Sequence, residues 1–240
     1  MKKTYTTLEK DYGATLGKIG VSLGIAQKRT VSKTFPSLLE KESIKRLKPS
    51  RKWIISGISG SGKTTVSKVL EHAGFKKLPN VVTRPRRFNE KNSENVFTDT
   101  KTFLKWRKEG LLFHPHKRNG AWHAILKSDI KKLQDGKIPM YMDKSIASSI
   151  ALLKSLPKSI RITFIYLIVP SFLELYKRIC SRETEQAKKG KKALNDKEIF
   201  YRFEEEISDM GKVVRLPYVY LVNDSPKRIQ RIISKFVKNS

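Results

Sequence analysis

From Arg51 onward, short apolar runs alternate with amphipathic stretches. Trp53-Ile54-Ile55-Ser56 is rich in β-forming residues and reads as a buried strand, and Lys63 to His72 continues as a helix. The runs Ile138 to Met142, Ile162 to Val169 and Tyr218 to Val222 predict further buried strands. Helices are predicted between them, near residues 101–109, 144–156, 171–185, 197–213 and 226–237. Such alternation predicts an α/β fold with a parallel sheet flanked by helices. Loops at the carboxyl ends of parallel strands face a crevice, so the first strand-to-helix turn is the expected ligand site. Residues 1–50 lack a sustained period of 2 or 3.6 and read as a weakly structured extension with a short helix around Phe35 to Leu47.

Composition changes this picture mainly through charge. Of 240 residues, 51 are Lys or Arg against 22 Asp or Glu, a formal charge of +29 that would attract anionic partners. Lys supplies 36 of the 51 bases, so a lysine-biased composition explains the excess as readily as a nucleic-acid partner does. The extension is not its source: it carries eleven bases and four acids, leaving +22 on residues 51–240. A 38% hydrophobic content excludes wholesale disorder. The single Cys180 cannot close an intramolecular disulfide, and no zinc-site spacing is present, which points to a reducing, cytoplasmic home. The start runs into Thr, Glu and Asp where a signal peptide would be apolar, and Ile162 to Val169 is too short to span a bilayer.

The first strand-to-helix turn reads Gly57-Ile58-Ser59-Gly60-Ser61-Gly62-Lys63-Thr64, followed by Thr65, and fits the phosphate-loop pattern G-x-x-x-x-G-K-[ST]. Glycines at 57, 60 and 62 let successive N–H groups turn inward and form an anion nest at the positive end of a helix. Lys63 would reach β- and γ-phosphate oxygens, and the Thr64 hydroxyl would ligate Mg²⁺. The expected ligands are therefore ATP and Mg²⁺. The loop leaves the phosphoryl acceptor open.

Four stretches carry a resemblance to the guanylate kinase family: Ser59 to Thr65; Thr83-Arg84-Pro85-Arg86-Arg87-Phe88-Asn89-Glu90; Val169-Pro170-Ser171 leading into a helix with Arg178 and Arg182; and Tyr220-Leu221-Val222-Asn223-Asp224. The resemblance spans about residues 53–236 and implies a P-loop NTPase-type sheet with a small acceptor-binding subdomain (about 83–126) and a mobile lid (about 183–200). It implies that Arg84 and Arg87 hold the acceptor phosphate, as two planar guanidinium forks suit a phosphate dianion. It further implies that Arg178, Arg182 and Arg202 close over the transferring phosphoryl group and that Asn223 borders the adenine. Arg178 and Arg182 are four apart and share a helix face.

The sequence departs from the family's pattern where the acceptor would be read. Phe113 stands in place of the guanine-reading carboxylate, His123 in place of a phosphate-binding Tyr, Val96 in place of another, and Tyr141 in place of the first acid of D-x-D. A missing acceptor for buried donors destroys discrimination, so GMP is not assured as the substrate. Asp143 reads three ways: a base-reading acid, an Mg²⁺-linked acid, or the cap of the following helix. Of the histidines, His123 is the candidate contact to an anionic acceptor by register; His114 and His116 read as ordinary loop or hairpin residues.

The expected activity is transfer of the γ-phosphoryl of Mg-ATP to a nucleoside monophosphate or related small phosphate ester, a ribose bisphosphate among them. The alternative is a kinase-like binding module that holds nucleotide or, through its basic surface, nucleic acid.

Overall fold

A computed structural model of the chain describes residues 4–25, 35–45, 47, 50–86, 95–118, 120–135, 138–190, 193–213 and 217–238. Among these residues the strands form two sheets. The larger is wholly parallel, in the order β2 (Lys76–Lys77), β7 (Met140–Asp143), β1 (Lys52–Gly57), β8 (Thr163–Ile168), β9 (Tyr218–Val222). β1 lies between two strands that come much later in the chain, so the crevice at the carboxyl end of β1 is a switch point of the strand order. The predicted parallel sheet is present, with its phosphate loop at that crevice.

Alternate strand residues face opposite layers, as a pleat of period 2 requires. Ile54, Met142, Phe164, Tyr166, Tyr218 and Tyr220 point into one core. That core is completed by α6 (Ile146–Ser155), α7 (Phe172–Lys188) and α8 (Asp196–Met210). Trp53, Ile55, Tyr141, Ile165, Val219 and Leu221 point into the other, against α3 (Lys63–His72) and α9 (Pro226–Lys238). Local sequence starts the helices. Ser145, Ser171 and Asn195 cap α6, α7 and α8 with their side-chain oxygens, Asn195 through a full capping box with Glu198.

The smaller sheet has the order β4 (Asn95–Phe97), β3 (Asn80–Val82), β6 (Ala121–Leu126), β5 (Leu112–Arg118). β5 and β6 form a hairpin with a register irregularity between Phe113 and His116. Val81, Phe103, Leu112 and Ala124 make a separate core with α4 (Thr100–Lys108), and α5 (Lys127–Asp135) returns the chain toward the large sheet. None of these strands was predicted from sequence, because β3 and β4 are three residues each and β5 carries Pro115 and four cations or histidines.

The described residues among 1–50 differ from the weakly structured extension expected. Tyr5–Ser22 forms an 18-residue helix, α1, and Phe35–Ile44 the anticipated short helix, α2. α1 buries Leu8, Tyr12, Leu16 and Ile19, a helical stripe that Gly13, Gly17, Gly20 and interspersed Thr dilute below recognition. The Tyr12 hydroxyl donates to the Val169 carbonyl (2.9 Å) and accepts from the Val169 N–H (3.2 Å) at the end of β8. α2 lies along β9, the edge strand of the large sheet. Its Ser43 Oγ accepts from the Tyr220 N–H (2.9 Å) and its Glu40 carboxylate from the Val222 N–H (2.9 Å), so side chains of α2 satisfy the outward N–H groups of that edge. Arg228 on α9 pairs with the other Glu40 oxygen, leaving this buried acid compensated.

Candidate active site

The phosphate loop joins β1 to α3. Gly57, Gly60 and Gly62 adopt φ of 152°, 81° and 97°, backbone that other residues rarely reach. Gly62 occupies the position before α3 and offers no side-chain cap, so the first N–H groups of that helix remain for a ligand. Space gives a second reason for glycine here: a Cβ at Gly62 would collide with the side-chain amide of Asn223. Asn223 Nδ2 donates to the Ser61 carbonyl (2.7 Å), so Asn223, at the end of β9, forms one wall of the loop. Lys63 folds back with its ammonium on the carbonyls of Gly57 (2.8 Å) and Ile58 (3.1 Å). Thr64 and Thr65 follow in the first turn of α3, Thr64 exposed.

Among the described residues, three buried side-chain polar atoms have no hydrogen-bond partner within the protein: Ser61 Oγ, Asn223 Oδ1 and His114 Nε2. Two belong to the phosphate loop and its wall. Buried polar atoms are seldom orphaned, and this pair is free to bond a water or a ligand seated at the loop.

The arginines gather around the loop unequally. Arg178 touches it directly: one guanidinium nitrogen donates to the Asn223 carbonyl (2.9 Å), another to the Gly60 carbonyl (3.5 Å), and Nε to Glu174 (2.9 Å). Arg182 instead donates twice to Glu183 (2.6 and 3.0 Å), whose other oxygen accepts from the Leu194 N–H at the turn into α8. Arg202 on α8 lies 3.4 Å from Glu206 on the same helix.

The Glu206 carboxylate accepts from the Ser59 N–H (2.6 Å) and the Ser59 hydroxyl (2.7 Å). Arg118, at the end of β5, approaches the same carboxylate at 3.8 Å. Glu206 escaped the sequence reading. The signal was present: it falls with Ile199, Phe203, Ile207 and Met210 on the buried stripe of α8, where an acid needs a partner.

Asp143 ends β7, paired in register with Ile55 of β1 beside the loop. Its reading as a helix cap is excluded, because Ser145 caps α6. Tyr141, two residues earlier on the same face of β7, packs into the layer of α3 and donates to Glu71 of that helix (2.6 Å). Lys144 was not anticipated. It is buried, donates to Asn80, and burial pushes its pKa down to about 7, with Lys77 adding to the effect and Asp143 and Asp129 opposing it. A small cavity of about 30 Å³ between Gly57, Ile58, Arg118, Lys144, Tyr166 and Glu206 joins the loop to the smaller sheet.

On that sheet Arg84 follows β3, its guanidinium 5.7 Å from the centre of the Phe97 ring. Arg87 lies outside the described residues. His123 stacks on His116 (centroids 5.7 Å, planes 24° apart), and His116 meets His114 at 4.9 Å. Burial lowers the pKa of His123 to about 4, with His116, Arg84 and Arg118 adding repulsion. At neutral pH its ring is therefore uncharged.

A test follows from the sign of that shift. The unfolded chain takes up a proton at the ordinary histidine value of 6.5, whereas the folded chain takes it up only near 4, so His123 makes stability rise with pH between these values. In urea unfolding across that window, His123→Gln is expected to remove roughly 1 kcal/mol of the rise, a figure reduced for solvent screening at the half-exposed ring. Parallel curves for parent and variant would refute the assignment.

Among the described residues no helix is long and apolar enough to cross a membrane, and no group of three or more His, Cys, Asp or Glu could hold a metal ion by itself. No protein-family model matches the chain, and no curated protein is significantly similar to it. Among solved structures it is similar to guanylate kinase from Anaplasma phagocytophilum, with a TM-score of 0.59 and 17% sequence identity over 81% of this chain and 88% of that one. At this identity the likeness establishes the fold, a guanylate kinase-like α/β architecture.

Proposed function

We propose that this protein is a phosphotransferase that moves the γ-phosphoryl group of Mg-ATP to a nucleoside monophosphate or related small phosphate ester. The observation that carries the reading is the pair of orphaned polar atoms, Ser61 Oγ and Asn223 Oδ1, at a phosphate loop whose helix starts without a cap. The phosphates lie on residues 57–65 against Lys63. Arg178, already on the loop backbone, neutralises charge as it develops, and Arg182 and Arg202 approach from α7 and α8. Arg84 and Arg87 hold the acceptor phosphate, with neutral His123 as a hydrogen-bonding neighbour. Thr64 and Asp143 suit Mg²⁺, which combines few protein oxygens with phosphate oxygens. Bound there, the ion would supply charge compensation between the phosphates. An acceptor phosphate is already a competent nucleophile, so no general base is required and catalysis reduces to positioning and electrostatics. A chain with one cysteine, the half-buried Cys180, suits the reducing cytoplasm.

A second reading has its own observation. Lys227, Arg231, Lys235 and Lys238 are exposed along α9, spaced so that they fall on neighbouring turns, and could hold nucleic-acid phosphates without any chemistry.

The deciding experiment measures ADP formation from Mg-ATP across a panel of ribo- and deoxynucleoside monophosphates and ribose bisphosphate. Turnover with one acceptor class is the expected result and names the substrate. Silence across the panel with ATP still bound refutes the transfer reading, and steeply salt-dependent RNA or DNA binding would then support the module.

A further inference from the structure

The phosphate loop already holds an anion, and that anion is the chain's own. Glu206 reaches from α8 to place its carboxylate on the N–H and hydroxyl of Ser59, with two short charge-assisted bonds. Its position within the loop is defined by Lys63, whose ammonium rests on the carbonyls of Gly57 and Ile58, the two residues before Ser59. The lysine of such a loop serves the β- and γ-phosphates, whereas the N–H groups further along cradle the inner phosphates. Glu206 therefore lies at the terminal-phosphate end.

We propose that Glu206 is a built-in competitor for the terminal phosphate, which a nucleoside triphosphate must displace and a diphosphate need not. This deepens the phosphotransferase reading and rests on it. The displacement has a definite geometry. Glu206 is also the partner of Arg202 at 3.4 Å and Arg118 at 3.8 Å, so one carboxylate connects the loop, α8 and the acceptor-side hairpin. An incoming phosphate carries more charge and more acceptor oxygens than the carboxylate. It takes over the Ser59 donors and gains the two arginines already beside them as counter-ions. The same exchange that seats the phosphate thus releases α8 from the loop and presents Arg118 from the acceptor side. Arrival of the triphosphate, movement of α8 and preparation of the acceptor site become one event, with the arginines held neutralised until it occurs.

The test compares the full chain with Glu206→Gln, which keeps shape and removes charge. Affinities for ADP and for a non-hydrolysable β,γ-imido ATP analogue are measured by titration calorimetry at fixed salt and Mg²⁺. The expected result is about tenfold or more tighter binding of the triphosphate analogue, since a bond to a charged group no longer opposes it, with less than about twofold change for ADP. Thermal unfolding of both proteins verifies that the variant is folded. Should it not fold, Glu206→Asp keeps the charge but shortens its reach by one methylene, and is expected to shift the analogue-to-ADP ratio in the same direction. An unchanged ratio, or weaker analogue binding in the variants, overturns the competition while leaving the phosphotransferase reading intact. Absence of nucleotide binding to parent and variants alike overturns the triphosphate reading of the loop, and the competition with it.

Discussion

The Lys63→Ala variant is expected to lose phosphoryl transfer by about a thousandfold or more and to unfold at the same temperature as the parent. The two halves of this expectation have separate grounds. Lys63 makes no core contact that the fold depends on: its ammonium is part-exposed and bonded only to the Gly57 and Ile58 carbonyls, which water can serve once the side chain is gone. Its charge, by contrast, is held on the loop backbone where the proposed reading seats the terminal phosphates. Preorganised charge of this kind is worth most in the transition state, where the transferring group spreads its charge over equatorial oxygens. ADP formation and thermal unfolding should be measured on one preparation. Retention of more than a tenth of the activity would sink the role given to Lys63, and a large fall in melting temperature would mean that the loss reports folding.

Removing residues 1–50 is expected to abolish soluble, cooperatively folded protein. Leu8, Leu16, Ile19 and Leu39 are buried at 0–2% exposure, together worth about 6–12 kcal/mol by the area they withdraw from water, which rivals the whole stability of an ordinary domain. Their partners on α7 and α8 would be uncovered in the same step. Polar groups would suffer as well: Val169 loses both bonds to the Tyr12 hydroxyl, and the N–H groups of Tyr220 and Val222 lose Ser43 and Glu40. Soluble yield, far-UV circular dichroism and urea unfolding of residues 51–240 against the full chain provide the measurement. A truncated chain that unfolds cooperatively and transfers phosphate would show the segment to be an independent appendage after all.

The part of the fold that sequence made visible is the part where one periodicity runs undisturbed. β8 and β9 are apolar at nearly every position because both faces are covered, and α7 and α9 repeat their apolar residues cleanly. α1 was missed because its stripe of four is interleaved with glycines and threonines that weaken intrinsic helicity, and only packing on α7 and α8 overrides them. The strands of the smaller sheet are too short, and too rich in His, Lys and Pro, to announce themselves. At the site, the loop was legible because glycine spacing and a strand-to-helix context leave few alternatives, whereas Arg178 was named only through the family resemblance of its helix. Glu206, Arg118 and Lys144 were not, because their roles come from elements far apart in sequence that meet only in the folded chain.

The fit of Gly62 beneath the amide of Asn223 ties two positions far apart in sequence to one contact. A side chain can enter position 62 only if the residue at 223 shrinks or turns away, and a shorter residue at 223 removes the donor that holds the Ser61 carbonyl and so relaxes the loop. The clearance is only half of the demand, because the backbone at 62 keeps its φ of 97° whatever stands at 223. A library that varies the two positions as a pair is therefore expected to return glycine at 62 as a single scan would, while position 223 is held by its bond to the loop alone.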